Sequence, residues 1–309
     1  MTEHHRTGPL RRHFVARPEE WRVVRSGGPP WFLTYVVYET PSAQRFEWTS
    51  RRHRKGLGLR RIAREGGAVE HRQARLATDP RSANVWIGLL FIIGAGAFGL
   101  GALPWVATYA DPTAVAVTFF VGSLFFTSAA LLQHVQTLFA ARSIGGAGAR
   151  PASAARFLME PGRIDWWVTG VQLAGTLLFN LSTFAAITQL DARGQELLVW
   201  LPDVGGSVCF LMASYLGLVE VCHRGWCRGA GEIGWRIAVA NLVGSVFFGI
   251  AAVGAYVVPD TGDMLNAALA NAFIFLGASC FLVGAYLLLL EAGGVEPDPV
   301  APDPSVVAG

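Results

Sequence analysis

Few side chains in this sequence have the types and spacing that catalysis or metal binding requires. Cys222 and His223 precede Cys227 and resemble half of a zinc site. A strong zinc signal needs two such pairs at set spacing, so ordinary thiols in a loop and a helix are the simpler interpretation. The sequence contains no Ser/His/Asp constellation, HExxH, Walker loop or GxGxxG after a strand. It therefore predicts a non-enzymatic protein with no catalytic residue, no metal site and no cofactor.

A histidine and a carboxylate near the ends of two predicted helices are the best candidates for proton chemistry. His134 and Glu220 each lie near the last turn of a hydrophobic segment. A neighbouring carboxylate favours a protonated imidazole, but no sequence argument brings the two together. Polar residues at head-group depth are the simpler interpretation. Ionisable residues inside a membrane are functional candidates by default, and the carboxylates here are too few for an ordinary proton-driven pump.

The composition identifies the environment in which these residues lie. The chain has 309 residues, of which 52% are hydrophobic and 15% charged, against about 25% charged in an ordinary soluble domain. This balance excludes overall disorder and disfavours a soluble enzyme. The chain is therefore predicted to be a membrane protein, and its heavy use of Arg, Ala and Gly suggests a bacterial source.

Six hydrophobic segments are each long enough to cross a bilayer, which takes about 20 residues. They predict an all-α polytopic membrane protein with six transmembrane helices, arranged as three helical hairpins, in a domain spanning 83–291. No apolar signal segment precedes them in residues 1–30. The predicted spans are 84–108, 114–139, 166–189, 199–221, 234–258 and 265–290.

The charge distribution predicts the orientation of these helices. Residues 1–82 hold 17 of the 25 basic residues and 8 of the 22 acidic residues. Six spans place 24 basic residues on one side of the membrane and only Arg193 on the other. Because cytoplasmic loops carry an excess of Lys and Arg, we expect both termini to be cytoplasmic, in a bacterial inner membrane.

Residues 1–82 form the predicted basic cytoplasmic region. Two β-rich runs around a Pro/Ser turn indicate a β-hairpin at about 31–52. A basic run follows and has two interpretations: it binds anionic lipid head groups, or it only sets the topology. No motif indicates nucleic-acid binding, a homo-oligomer is left open, and residues 1–20 and 292–309 are expected to be disordered. The charged members of the run are Arg51, Arg52, Arg54 and Lys55.

The most informative pattern is a Gly-[Ser/Thr/Ala]-x-x-Phe motif that recurs in all six spans. One copy means little in a chain rich in Gly and Phe, but six copies in six helices are hard to attribute to chance. The Gly and Phe residues of the copies are Gly94 and Phe98, Gly122 and Phe126, Gly175 and Phe179, Gly206 and Phe210, Gly244 and Phe248, and Gly277 and Phe281.

The spacing of the motif places its Gly and its Phe on one helix face. In the third, fourth and fifth spans the residue three before the Gly is polar and shares that stripe: Gln172, Asp203 and Asn241. Small residues let helix backbones approach, and polar residues there hydrogen-bond across helices. The stripe is therefore predicted to be a helix-packing seam, and a polar pathway along the same face is the alternative.

Three of these elements resemble a known family. Tyr35-Val-Val-Tyr-Glu39, Trp86 with Gly94–Phe98, and Gly122–Phe126 are similar to the YrhK-like membrane domain, a bacterial family without an assigned activity. Its small members have a cytoplasmic hairpin followed by two spans with Gly-Ser-x-x-Phe-like motifs. The resemblance covers about residues 31–140. It implies a membrane location and carries over no active-site residue.

Two functions follow from these observations. The first is a non-enzymatic inner-membrane protein with a structural or interaction role. The alternative is a small-solute channel or transporter that uses the polar stripe. A continuous hydrated cavity lined by Gln172, Asp203 and Asn241 would favour transport, whereas a dry seam of Gly and Phe would favour packing.

Overall fold

The computed structural model describes residues 18–62, 75–140, 160–188, 190–229, 232–258, 260–261 and 263–294. Within them the chain forms a small N-terminal β-sheet domain and six long apolar helices. The predicted disordered tails lie almost entirely outside the described residues and stay predictions.

The N-terminal domain is a four-stranded antiparallel sheet in the order β1 to β4. The predicted hairpin is confirmed in the two middle strands, where Tyr35 pairs with Thr49 and Glu39 with Arg45. The two outer strands were not predicted; the side chains of both are mostly exposed, so neither shows a clear alternation of buried and exposed residues. The strands are β1 (Arg22–Gly27), β2 (Tyr35–Glu39), β3 (Arg45–Thr49) and β4 (Arg60–Ile62).

One face of this sheet is apolar because the side chains of β2 and β3 alternate in direction. Val36 and Tyr38 from β2 and Phe46 and Trp48 from β3 form a small core with Trp21. Directly after β3 the chain turns into the short helix α1 (Ser50–Arg54), where the Thr49 hydroxyl accepts a hydrogen bond from the Arg52 amide. Helix α1 thus carries the basic run away from the edge of the sheet.

Six helices are long and apolar enough to span a membrane, which confirms the predicted fold class. They form three consecutive antiparallel pairs: α2 with α4, α5 with α6, and α7 with α8. Their bounds are α2 (Ala83–Gly101), α4 (Pro112–Leu138), α5 (Ile164–Ala185), α6 (Ala192–Cys222), α7 (Ile233–Gly254) and α8 (Ala267–Gly293).

Two of the predicted spans need correction. The segment 84–108 is not continuous: α2 ends at Gly101, and a separate short helix, α3 (Pro104–Tyr109), begins at Pro104. Proline lacks the amide hydrogen that a continuing helix needs, but it fits the first turn of a new one. The fourth span begins at Ala192 rather than 199, with π-helical geometry over Gln195–Trp200.

The six helices close into a ring. Each long helix packs against its neighbours in the sequence, and α8 also packs against α2, so the last helix meets the first. Short connections make the neighbours antiparallel, and α2, α5 and α7 therefore all run away from the N-terminal domain. Helix α1 contacts α4, α5 and α6 at one end of this ring.

Candidate functional site

The motif glycines lie where the two helices of each hairpin cross. A Cβ atom built on any of the six would lie 3.0–3.2 Å from the carbonyl oxygen of the partner glycine. Real Cβ atoms rarely come so close to another backbone, so only glycine lets the helices approach to this distance. The pairs are Gly94 with Gly122, Gly175 with Gly206, and Gly244 with Gly277.

The six motif phenylalanines meet at the centre of the ring, and we call them the phenylalanine cluster. Every ring is buried, with at most 6% of its residue surface exposed. The three from α4, α6 and α8 form a triangle with centroid distances of 5.6–6.2 Å. Mainly edge-to-face contacts join these three to the other three, a geometry that aromatic rings favour. The members are Phe98, Phe126, Phe179, Phe210, Phe248 and Phe281.

A cavity of about 60 Å³ lies between this cluster and the N-terminal domain. Its floor is formed by Phe126, Phe210 and Phe281, and its roof by three basic side chains of the basic run. Such a volume holds several water molecules or one small solute. The polar residues of its wall are Gln133, Gln172, Ser214 and Asn241.

The cavity brings together only part of the predicted polar stripe. Gln172 and Asn241 line it, and Phe91 holds the corresponding position in the first span. Asp203 does not line it, since α6 runs in the opposite direction to α5 and α7. A residue three before the motif glycine therefore lies beyond the phenylalanine cluster in α6 but towards the N-terminal domain in α5 and α7.

Glu220 of α6 receives the first contact from the N-terminal domain. The Arg54 guanidinium donates to Glu220 Oε2 at 3.1 Å, and the Ser50 hydroxyl donates to Oε1 at 2.8 Å. Both charged side chains are at most 2% exposed. Burial by itself lowers the pKa of Arg54, but the Glu220 charge and hydrogen bond outweigh burial and raise that pKa, so the pair stays ionised.

Glu291 of α8 receives the second contact. Arg51 donates to both carboxylate oxygens, the shortest distance being 2.9 Å, and Lys55 Nζ donates to Oε2 at 2.5 Å. Burial and the nearby Arg51 charge lower the pKa of Lys55 to about 7, although Glu291 opposes the shift. Two buried cations here share one carboxylate.

We call these contacts the junction; its members are Ser50, Arg51, Arg54, Lys55, Glu220 and Glu291. The sequence predicts that four basic residues either bind anionic lipid head groups or only set the topology. Three of these four belong to the junction. Their side chains are at most 10% exposed. Contact with lipid head groups would require them to leave their carboxylates. The fourth, Arg52, donates to the carbonyl of Leu57 at 2.7 Å.

The structure separates the two residues considered for proton chemistry. The His134 ring pairs with the Thr169 hydroxyl at 2.9 Å, whereas Glu220 belongs to the junction. A different histidine, His223, lies close to Glu220 in the chain and contacts the Thr34 hydroxyl at 2.9 Å. Burial lowers the pKa of His223 to about 4, although the Glu220 charge opposes the shift.

The cysteines at the end of α6 need a further correction. Cys222 and Cys227 are joined by a disulfide, so they are not the ordinary thiols expected from sequence. Across the described ranges no group of three His, Cys, Asp or Glu side chains is placed to hold a metal ion. The remaining cysteines, Cys209 and Cys280, are free.

Sequence reasoning missed Glu291 and the true partners of Glu220. These partners lie 166 to 240 residues away along the chain. A signal was nevertheless present, because Glu220 and Glu291 each lie 14 residues after the motif glycine of their helix. Gln136 holds the same position in α4 and donates to Asn84 at 3.1 Å. Extending the repeat beyond its five residues would have marked these positions as equivalent.

Comparison of the chain with family models, with curated proteins and with solved structures finds no match. The resemblance to YrhK-like proteins therefore stays a prediction. The chain is a polytopic membrane protein by its six apolar helices, with a cavity beneath a β-sheet domain as its candidate site.

Proposed function

We propose that this chain is a non-enzymatic protein of a bacterial inner membrane, related to the YrhK-like family, whose helix ring holds the β-sheet domain at the cytoplasmic surface. The observation that carries the proposal is the phenylalanine cluster. Its packed rings end the cavity halfway along the bundle. A bundle closed at its centre suits an anchor or interaction partner better than a conduit.

The proposed orientation rests on the basic residues. With the N-terminal domain in the cytoplasm, 24 of 25 Lys and Arg residues face the cytoplasm. The disulfide Cys222–Cys227 favours the reverse orientation, since disulfides persist mainly in oxidising compartments. The basic residues outweigh it because they act on topology during insertion, whereas one disulfide forms only afterwards.

Reporter fusions test the orientation. A phosphatase that is active only outside the cytoplasm should be active after Asp111, Arg193 and Asp260, and inactive after Gly148. The opposite pattern would reverse the protein in the membrane and place the disulfide in an oxidising compartment. Activity on both sides of one span would overturn the six-span topology.

A second candidate function, a small-solute channel or transporter, is favoured by one observation: Gln172 and Asn241 line a cavity within the bundle. Transport requires the phenylalanine cluster to open. Liposomes that contain the purified protein should show no flux of small solutes above protein-free liposomes if the proposed function is correct. Flux in the wild type that Asn241→Leu abolishes, with folding unchanged, would support transport instead.

A further inference from the structure

The charged side chains that line the cavity beneath the N-terminal domain are all basic. Arg51, Arg54 and Lys55 line it, and no Asp or Glu side chain in the described part of the chain does. Glu220 and Glu291 bind these cations from outside the lining. The empty space is therefore exposed to positive charge, in a surrounding of low dielectric where such charge acts strongly.

The junction itself has more basic than acidic groups. Arg51, Arg54 and Lys55 face the two carboxylates of Glu220 and Glu291, and a pKa of about 7 leaves Lys55 only partly protonated at neutral pH. Arg163 is shared by Asp165 and Glu160, so this neighbouring group has more acidic than basic groups, but neither carboxylate lines the cavity. An anion in the cavity would place a negative charge directly against the cations of its wall.

Arg54 also has unused hydrogen-bond donors. Its side chain is 2% exposed, and only Nη2 donates to Glu220. Its Nε and Nη1 atoms are buried and have no hydrogen-bond partner among the described residues. Buried guanidinium donors are nearly always satisfied. Two unsatisfied nitrogens on a residue that lines a cavity therefore indicate a bound acceptor in that cavity.

The other polar groups of the wall suit the same ligand. Gln133, Gln172 and Asn241 each carry an amide NH₂ that can donate to an anion. The volume of about 60 Å³ excludes a nucleotide or a lipid head group, but it admits a halide or a short carboxylate.

From these observations we propose that the cavity is a binding site for one small monovalent anion, of the size range from chloride to acetate, held by the free donors of Arg54 and the wall amides. The site does not depend on whether the protein transports solutes. It is also independent of the orientation in the membrane, because the cavity has the same wall in either orientation.

The test uses the full-length protein in detergent at constant ionic strength, with sodium gluconate replaced stepwise by sodium chloride, formate or acetate. Gluconate is too large for the cavity. A ligand that binds only the folded state raises the melting temperature in a saturable way. We expect such a rise for chloride, for the short carboxylates, or for both, and the comparison of the three salts identifies the preferred class.

Three variants assign the effect to the cavity. Arg54→Lys keeps a charge for Glu220 but removes the guanidinium Nε and Nη1 donors, and we expect at least a tenfold higher chloride concentration at half-saturation. Gln172→Met keeps the ion pairs and the volume, and should weaken binding about threefold to tenfold. The matched control is Arg163→Lys, a buried cation outside the cavity wall, which should lower the melting temperature but leave half-saturation unchanged.

Bromide gives a direct readout, because its anomalous scattering locates it in crystals grown in sodium bromide. We expect one bromide peak within hydrogen-bond distance of Arg54. A melting temperature equal in all salts, equal half-saturation for the wild type and Arg54→Lys, or a cavity without bromide would each overturn the proposal. In those cases only water would satisfy the Arg54 donors.

Discussion

The phenylalanine cluster and the junction are stabilised by different forces, although both are built on the same three hairpins. The cluster is apolar and repeats in every hairpin, with glycine at each crossing and phenylalanine beside it. The junction is charged and differs between hairpins. Its equivalent positions are Gln136, Glu220 and Glu291, and only the two glutamates bind the N-terminal domain.

This difference indicates how a repeated bundle can bind a single domain. Three equivalent helix ends would present three equivalent surfaces to a sheet that has no such symmetry. In the first hairpin the position is neutral: Gln136 donates to Asn84, which in turn makes an uncharged contact with the N-terminal domain by donating to the Lys55 carbonyl. The other two hairpins present carboxylates, so the basic helix α1 has one preferred placement.

The largest effect is expected at the junction. Replacing Glu220 by Gln keeps the shape but leaves the Arg54 guanidinium buried without a counter-charge. Breaking one partner of a buried pair typically costs about 3–5 kcal/mol. We expect Glu220→Gln to lower the free energy of unfolding by this amount and to expose the N-terminal domain to protease before the helices unfold.

The matched control for Glu220→Gln lies on the sheet of the same domain. Glu39 pairs with Arg22 and Arg45, whose side chains are 75% and 46% exposed. Exposed ion pairs contribute little to stability, so Glu39→Gln should leave both readouts nearly unchanged. Equal losses for the two variants would mean that burial does not distinguish the junction from the surface.

The next effect is expected at a helix crossing. A Cβ on Gly175 would meet Cys209, Phe210 and the Gly206 carbonyl within 2.9–3.2 Å. Overpacking of this kind costs about 1–3 kcal/mol, so Gly175→Leu should lower the melting temperature in detergent. If Gly175→Leu were as stable as the wild type, the predicted helix-packing seam would be wrong. The stripe of small residues would then line a polar pathway instead.

Gly249→Leu is the matched control for that substitution. Gly249 lies in the α7 helix with nothing within 4 Å of its Cβ position. Leucine has a higher helix propensity than glycine by almost 1 kcal/mol, so this variant should be as stable as the wild type or slightly more stable. The two substitutions introduce the same side chain and differ only in the space available.

The same contrast explains what could be predicted from sequence. The spans, the hairpin and the motif depend on local patterns of hydrophobicity and spacing, which a sequence displays directly. The junction joins residues up to 240 positions apart, and a charged residue near a helix end has many potential partners. The basic run was therefore recognised, whereas the carboxylates that bind it were not. Asp203 does not line the cavity with Gln172 and Asn241, and the stripe did not show this, because a spacing rule ignores the direction in which the helix runs.

A pH effect is expected at the junction side of the bundle and not in the phenylalanine cluster. Burial lowers the pKa of His223 to about 4, against an ordinary value of about 6.5. The unfolded chain therefore takes up a proton between pH 6.5 and 4 while the native imidazole stays neutral. Native stability is full above about pH 6.5 and falls as the pH drops, by about 2 kcal/mol at pH 5.

The variant His223→Asn isolates this contribution. His223 has a φ of +59°, a left-handed conformation that Asn tolerates well. Asn does not titrate, so the difference in unfolding free energy between the wild type and the variant should shrink as the pH falls from 7.5 to 5. An unchanged difference would mean that burial does not keep the imidazole of His223 neutral.

The smallest predicted effect concerns the polar contacts inside the bundle, and it tests whether the helix ring depends on packing alone. Ser245 of α7 and Ser214 of α6 hydrogen-bond at 2.8 Å, a contact that joins two hairpins. Such bonds in membranes average about 0.6 kcal/mol, so Ser245→Ala should destabilise the protein only slightly. The control is Ser279→Ala, because Ser279 is half-buried and donates only to Phe275 among the described residues, within its own helix. If Ser245→Ala costs as much as Gly175→Leu, hydrogen bonds contribute to the ring on the same scale as close packing. If Ser245→Ala costs no more than Ser279→Ala, the hairpins associate through close packing of glycine and phenylalanine. The phenylalanine cluster would then depend on packing, whereas the junction depends on ion pairs.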